Sequence, residues 1–181
     1  NYKALQYGAR HFNRPLTVSF EDKGNDLTAY LINDLREDKK VTVHLCVFDF
    51  ERGIVSSDER EVTVKALTNE RVFRKDLSIL RKAYDVKTTG LVLSLFEDGE
   101  ETARKFFLFD EEKNLLLPKA TINAEKKIVG DRVEITLTAD KYARLVRLES
   151  GSVQNFSDNC FDLLPGESRK ITIAVGEDIS P

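Results

Sequence analysis

Two histidines, two cysteines and 31 acidic residues are the groups this chain could use for metal binding, nucleophilic attack or proton transfer. His11 and His44 are far apart, and neither has a partner at ligand spacing. There is no HExxH, no CxxC pair and no EF-hand loop. His44 lies in an alternating run, on the face opposite Val43 and Leu45, where a structural or surface role is expected. Cys46 and Cys160 fall in different halves with no base or helix N-terminus to activate them, so they read as buried or half-buried thiols rather than a disulfide framework. A Gly-x-Ser-x-Gly elbow and the Walker A and GxGxxG phosphate cradles are all missing. No catalytic, cofactor-binding or metal-ligating residue is expected.

The carboxylates need a closer reading, because a pair of them can hydrolyse a glycosidic bond. Glu21-Asp22, Glu97-Asp98 and Glu100-Glu101 cluster where turns are predicted, and hairpin tips rarely supply the cleft that perturbs a catalytic pKa. Asp158, Asn159 and Asp162 are of the types that cap turns by bonding to nearby backbone, with Phe156 and Phe161 as anchors in the core. Sugar-binding sandwiches present planar aromatic platforms. This chain has no tryptophan and five tyrosines, Tyr2, Tyr7, Tyr30, Tyr84 and Tyr142, and most of its eleven phenylalanines sit in strand-like runs. A carbohydrate-binding module and a structural or adhesion array remain as alternative readings.

With 181 residues, 41% hydrophobic and 33% charged, the chain has the composition of a globular protein of one or two domains. A net charge of −3 offers no electrostatic footprint for nucleic acid. No apolar run approaches the roughly 20 residues of a membrane span. The chain starts at Asn1 and contains no methionine, which reads as a processed protein or, preferably, an excised fragment.

The elements that would hold these residues are mostly strands. Leu5, Ala9 and Phe12 form one short helical stripe ended by Asn13-Arg14-Pro15, read as the exit from a preceding domain. Period-two alternation follows at Leu16, Val18 and Phe20, at Leu27, Ala29 and Leu31, and along the odd positions of Val41–Val47. Val62 and Val64, Leu91, Leu93 and Leu95, and Lys105–Phe109 mark further strands, with Asp98-Gly99 as a hairpin signal. Between Thr68 and Tyr84 the spacing of Val72, Phe73, Leu77, Leu80 and Tyr84 predicts a helix, with an irregular crossover strand as the alternative. The charged run Asp110–Asn114 before Leu115-Leu116-Leu117-Pro118 is the best domain boundary. Beyond it, strands are expected at 120–127, 133–137, 143–149 and 169–175, the last after a type II turn at Leu164-Pro165-Gly166-Glu167. The expected class is all-β, two consecutive immunoglobulin-like β-sandwiches with a short N-terminal helical segment.

Two segments carry a family resemblance. Tyr2-Lys3-Ala4-Leu5-Gln6-Tyr7-Gly8-Ala9-Arg10-His11-Phe12-Asn13-Arg14-Pro15 resembles the segment by which β-mannosidases of glycoside hydrolase family two leave their catalytic barrel. Thr138–Leu148 followed by Phe156–Glu167 resembles their C-terminal immunoglobulin-like domain. Asn13 and Cys160 depart from the family, which tends to carry aromatics there. The resemblance implies residues 1–14 as the tail of an absent catalytic domain, 15–112 as a first sandwich and 113–181 as a second. It also implies a retaining parent enzyme that removes terminal β-mannose, with its two glutamates in a (β/α)8 barrel, so that no catalytic residue falls in this chain. The implied partners are that barrel and a mannoside or mannan substrate. The implied location is extracytoplasmic or lysosomal.

Overall fold

The computed structural model describes Tyr7, residues 14–149 and residues 156–174. Backbone contacts gather residues 11–117 into one compact unit, and residues 1–10 with 118–181 into another.

The first unit is a sandwich of three and four antiparallel strands. β1 (Leu16–Lys23), β2 (Asp26–Asn33) and β5 (Thr68–Asp76) form one sheet in the order β1-β2-β5. β3 (Lys39–Asp49), β4 (Gly53–Val64), β6 (Thr89–Glu97) and β7 (Glu100–Leu108) form the other in the order β4-β3-β6-β7. Alternation explains the packing, since successive strand side chains point to opposite faces. Val41, Val43, Leu45 and Val47 of β3 are buried beside Leu91, Leu93 and Leu95 of β6, with Val43 opposite Leu95 and Leu45 opposite Leu93. Leu16, Val18, Leu27, Ala29 and Leu31 complete the core from the facing sheet.

The stretch 68–84 divides between its two expected forms. Residues 68–76 are strand β5, and α1 (Leu77–Ala83) begins only after it. Val72 and Phe73 mimic helical spacing because both are buried at a bulge, where Ala29 pairs with Phe73 and Tyr30 with Arg71. The extra residue breaks strict alternation. The Asp76 carboxylate then accepts from Ser78 N at 2.7 Å and starts the helix. Leu77 is fully buried, and Leu80 and Tyr84 pack at the edge of the core.

A satellite aromatic cluster sits on the four-stranded sheet, with the Phe48 ring 5.8 Å from Phe50 and 5.7 Å from Phe106. Gly90 is required there. A Cβ on it would lie 2.8 Å from two Phe48 ring carbons and 2.9 Å from Leu108 Cδ2. The Phe48 ring is fully buried and cannot swing away, so Gly90→Ala is expected to lower stability by about 2 kcal/mol through overpacking. Urea unfolding followed by circular dichroism would show this as an earlier midpoint with an unchanged slope.

In the second unit, β8 (Ile122–Val129), β9 (Arg132–Ala139) and β12 (Ser168–Ala174) form a three-stranded sheet in the order β12-β9-β8, and β10 (Ala143–Val146) pairs with β11 (Phe161–Leu163). Leu137, Ala139, Phe161, Leu163 and Ile171 form its core, joined by Tyr7. The expected N-terminal stripe of Leu5, Ala9 and Phe12 lies outside the described residues, while Tyr7 itself is helical and buried. The Leu164–Glu167 turn closes with Glu167 N donating to Leu164 O at 3.0 Å, and Gly166 takes φ +75°. The strand expected over 143–149 stops at Val146, because Leu145 turns left-handed at φ +50° and β10 bulges against β11.

Candidate functional site

In the first half of β3, Lys40, Thr42 and His44 point outward, the residues left over once the odd positions are in the core. Register then brings their neighbours. Thr42 faces Glu61 on β4 and Phe96 on β6, while His44 faces Glu59 and Ser94. Together with Asp98-Gly99 of the β6–β7 turn, Lys40, Thr42, His44, Glu59, Glu61 and Phe96 line an open groove of about 500 Å³. Asp98 and Gly99 both have positive φ, +50° and +83°, as a tight hairpin turn of this kind requires.

Four side chains of the groove meet in pairs. His44 Nε2 lies 3.0 Å from Glu59 Oε2, and Lys40 Nζ lies 3.0 Å from Glu61 Oε2. The imidazole stacks on Phe96 with centroids 4.5 Å apart and planes tilted by 35°. Further along the same sheet face, Arg104 meets Glu101 at 2.7 Å and leans over Phe106. Cys46 is half-buried there, and burial pushes its thiol up from its ordinary range. A neutral thiol is a poor nucleophile. Among the described residues no hydroxyl or thiol hydrogen-bonds to His44. The arrangement is suited to holding a polar ligand, and lacks the nucleophile–base contact that acyl transfer would need.

The Asp158–Asp162 segment is a clasp on backbone. Asn159 Oδ1 accepts from Leu148 N at 2.8 Å and from Cys160 N at 2.9 Å, and its Nδ2 donates to Leu148 O at 2.9 Å. Asp162 accepts from Tyr142 Oη at 2.5 Å and from Leu145 N at 2.9 Å. Asp158 pairs with Arg169 at 2.7 Å, and that guanidinium covers the Phe161 ring. Two left-handed non-glycine residues, Leu145 and Cys160 (φ +59°), are thereby held at the points where the loop must reverse.

The other acids serve local contacts. Glu21 accepts from Tyr30 and pairs with Lys23, whose hydrogen bond lowers its pKa; it stands in β1 rather than in the turn expected there. Glu97-Asp98 and Glu100-Glu101 flank the β6–β7 turn, as expected. His11 lies outside the described residues. Both cysteines are free. Among the described residues no group of three His, Cys, Asp or Glu side chains could hold a metal ion, and no helix is long and apolar enough to cross a membrane.

The comparisons with known proteins match this division. Residues 25–114 match the mannosidase Ig/CBM-like domain family, and residues 117–181 match the Ig-fold domain family of mannosidases. The chain is a pair of mannosidase-type immunoglobulin-like domains. The resemblance read at both ends of the sequence therefore holds across nearly its whole length. The pair is 27% identical to β-mannosidase A of Neosartorya fischeri over 97% of this chain and 21% of that protein. It is 26% identical to β-mannosidase A of Aspergillus terreus, again over 21% of the relative. It spans about a fifth of the length of these relatives. A solved β-D-mannosidase from Dictyoglomus thermophilum superposes on 96% of the chain with a TM-score of 0.84 at 18% identity, a likeness of fold.

Sequence reading placed His44 correctly on the outer face but passed over Glu59, Glu61 and Phe96. Their meeting depends on pairing register, and a hairpin's register follows from its turn and hydrophobic faces together. The one available signal was the run of acids at alternate positions, Glu59 and Glu61, in a strand opposite a basic one.

Proposed function

We propose that this chain is the non-catalytic β-sandwich portion of a β-mannosidase that removes terminal non-reducing β-mannose, and that it supports a (β/α)8 barrel. The observation that carries this reading is collinearity. Two mannosidase domain matches follow one another along the chain, and β-mannosidases of two fungi match nearly all of it as one contiguous stretch. In this reading residues 15–112 and 113–181 are the two sandwiches and residues 1–14 are the tail of the barrel. Tyr7, buried in the core of the second sandwich, pins that tail.

The test is hydrolysis of nitrophenyl β-mannoside. The isolated chain is expected to fold and to release no nitrophenol, and the chain joined to the sequence encoded before it is expected to release it. Turnover by the isolated chain, or a preceding sequence without a barrel, would overturn the reading.

A further inference from the structure

We propose that the uncovered inward face of strand β8, in the second sandwich, is the surface on which the preceding barrel domain docks. This rests on the β-mannosidase reading, and it names the surface by which the barrel is held.

The two layers of the second sandwich are unequal. At about 3.4 Å per residue, β8 and β9 run about 27 Å each, whereas β10 and β11 run about 14 and 10 Å. Register shows which side chains share the core face of the larger sheet. Ile173 of β12, Val133 of β9 and Ile128 of β8 form one row, and Ile171, Ile135 and Lys126 form the next. Burial falls along both rows toward β8. Ile171 and Ile173 are buried, Val133 and Ile135 are half-buried, and Ile128 is 75% exposed, with Lys126 exposed beside it. A lone apolar side chain on an outer face is ordinary. Ile128 is different, because it stands on the face that a sandwich packs against its second layer.

The course of the tail points to the occupant. Residues 1–10 gather with the second sandwich, although the first sandwich follows them in sequence. Tyr7 is buried in the same core that Ile135 flanks. In the β-mannosidase reading this tail is the end of the barrel domain, and the chain spans about a fifth of its fungal relatives. The barrel is then tethered at the core of this sandwich, and tethering lets a small surface dock at high effective concentration. Lys126 lies within that face and has no ion-pair partner among the described residues. The barrel surface that fits is therefore apolar, with a carboxylate opposite Lys126.

The experiment is hydroxyl-radical footprinting, read by mass spectrometry, on the isolated chain and on the chain joined to the sequence encoded before it. Oxidation of Ile128 is expected to fall about fivefold in the joined protein, as an exposed side chain enters the dry centre of an interface. Val133 and Ile135 should fall with it. Ile128→Asp should leave the urea midpoint of the isolated chain unchanged, because that side chain is already in water. In the joined protein the same substitution should return Val133 and Ile135 to the oxidation seen in the isolated chain. Lys126→Glu, which brings two carboxylates together, should do the same. Equal oxidation of Ile128 in both proteins, low oxidation already in the isolated chain, or protection that survives both variants would overturn the proposal. Hydrolysis by the joined protein with Ile128 still open to oxidation would sink the docking surface and leave the β-mannosidase reading standing. A joined sequence without a barrel would sink that reading first.

Discussion

Asn159→Ala is expected to destabilise the second sandwich by about 3 kcal/mol. The side chain is almost fully buried and satisfies three backbone groups, the N–H and C=O of Leu148 and the N–H of Cys160. Alanine leaves them in the protein without partners, at roughly 1–3 kcal/mol for each group that water cannot reach. It also releases Cys160, a non-glycine residue held at φ +59°. Urea unfolding by circular dichroism should show the loss. Hydrogen exchange should rise at Leu148 and Cys160 and stay unchanged in β3 and β6. Equal stability of Asn159→Ala and the parent would show the clasp to be dispensable.

Asn33→Ala should cost the first sandwich a similar amount, about 3 kcal/mol. Asn33 ends β2 and is wholly buried. Its Oδ1 accepts from Leu35 N at 3.0 Å, and its Nδ2 donates to Glu37 O at 2.9 Å and to Lys65 O at 3.1 Å. One amide thus ties the β2–β3 loop to the β4–β5 connection. The neighbouring stitch from Asp38, to Lys65 Nζ at 2.7 Å and Ala66 N at 3.0 Å, is exposed and replaceable by water. The same urea measurement applies, with exchange expected to rise at Leu35 and around residues 65–67. A loss below about 1 kcal/mol would mean that water enters and takes over the three bonds.

These two residues differ in how readable they were. Asn159 stood out because Asp, Asn and Asp at 158, 159 and 162, close to Phe156 and Phe161, suggest turn chemistry, and the structure shows backbone capping there. Asn33 gave no such sign, since one of its partners lies 32 residues away. The same contrast runs through the strands. Val41, Val43, Leu45 and Val47, the Asp98-Gly99 hairpin and the Pro165-Gly166 turn follow from local rules, and they stand where those rules put them. Val72 and Phe73 misled because a bulge buries neighbours, and bulges are set by the partner strand. Leu145 misled because its left-handed turn is held by Asp162, a residue 17 positions on.

By itself, the sequence determined the all-β class, the inward face of most strands, the turns built on glycine and proline, and the kinship with β-mannosidases. Each depends on side-chain periodicity, on a residue's own φ preference, or on a local string of residues. Tertiary structure alone decided which outward residues meet. His44 joins Glu59 and Phe96, and Thr42 joins Glu61, through strand pairings that a one-residue slip would send to the opposite face. The groove is therefore a product of register, and register is fixed by the core on the other side of the sheet.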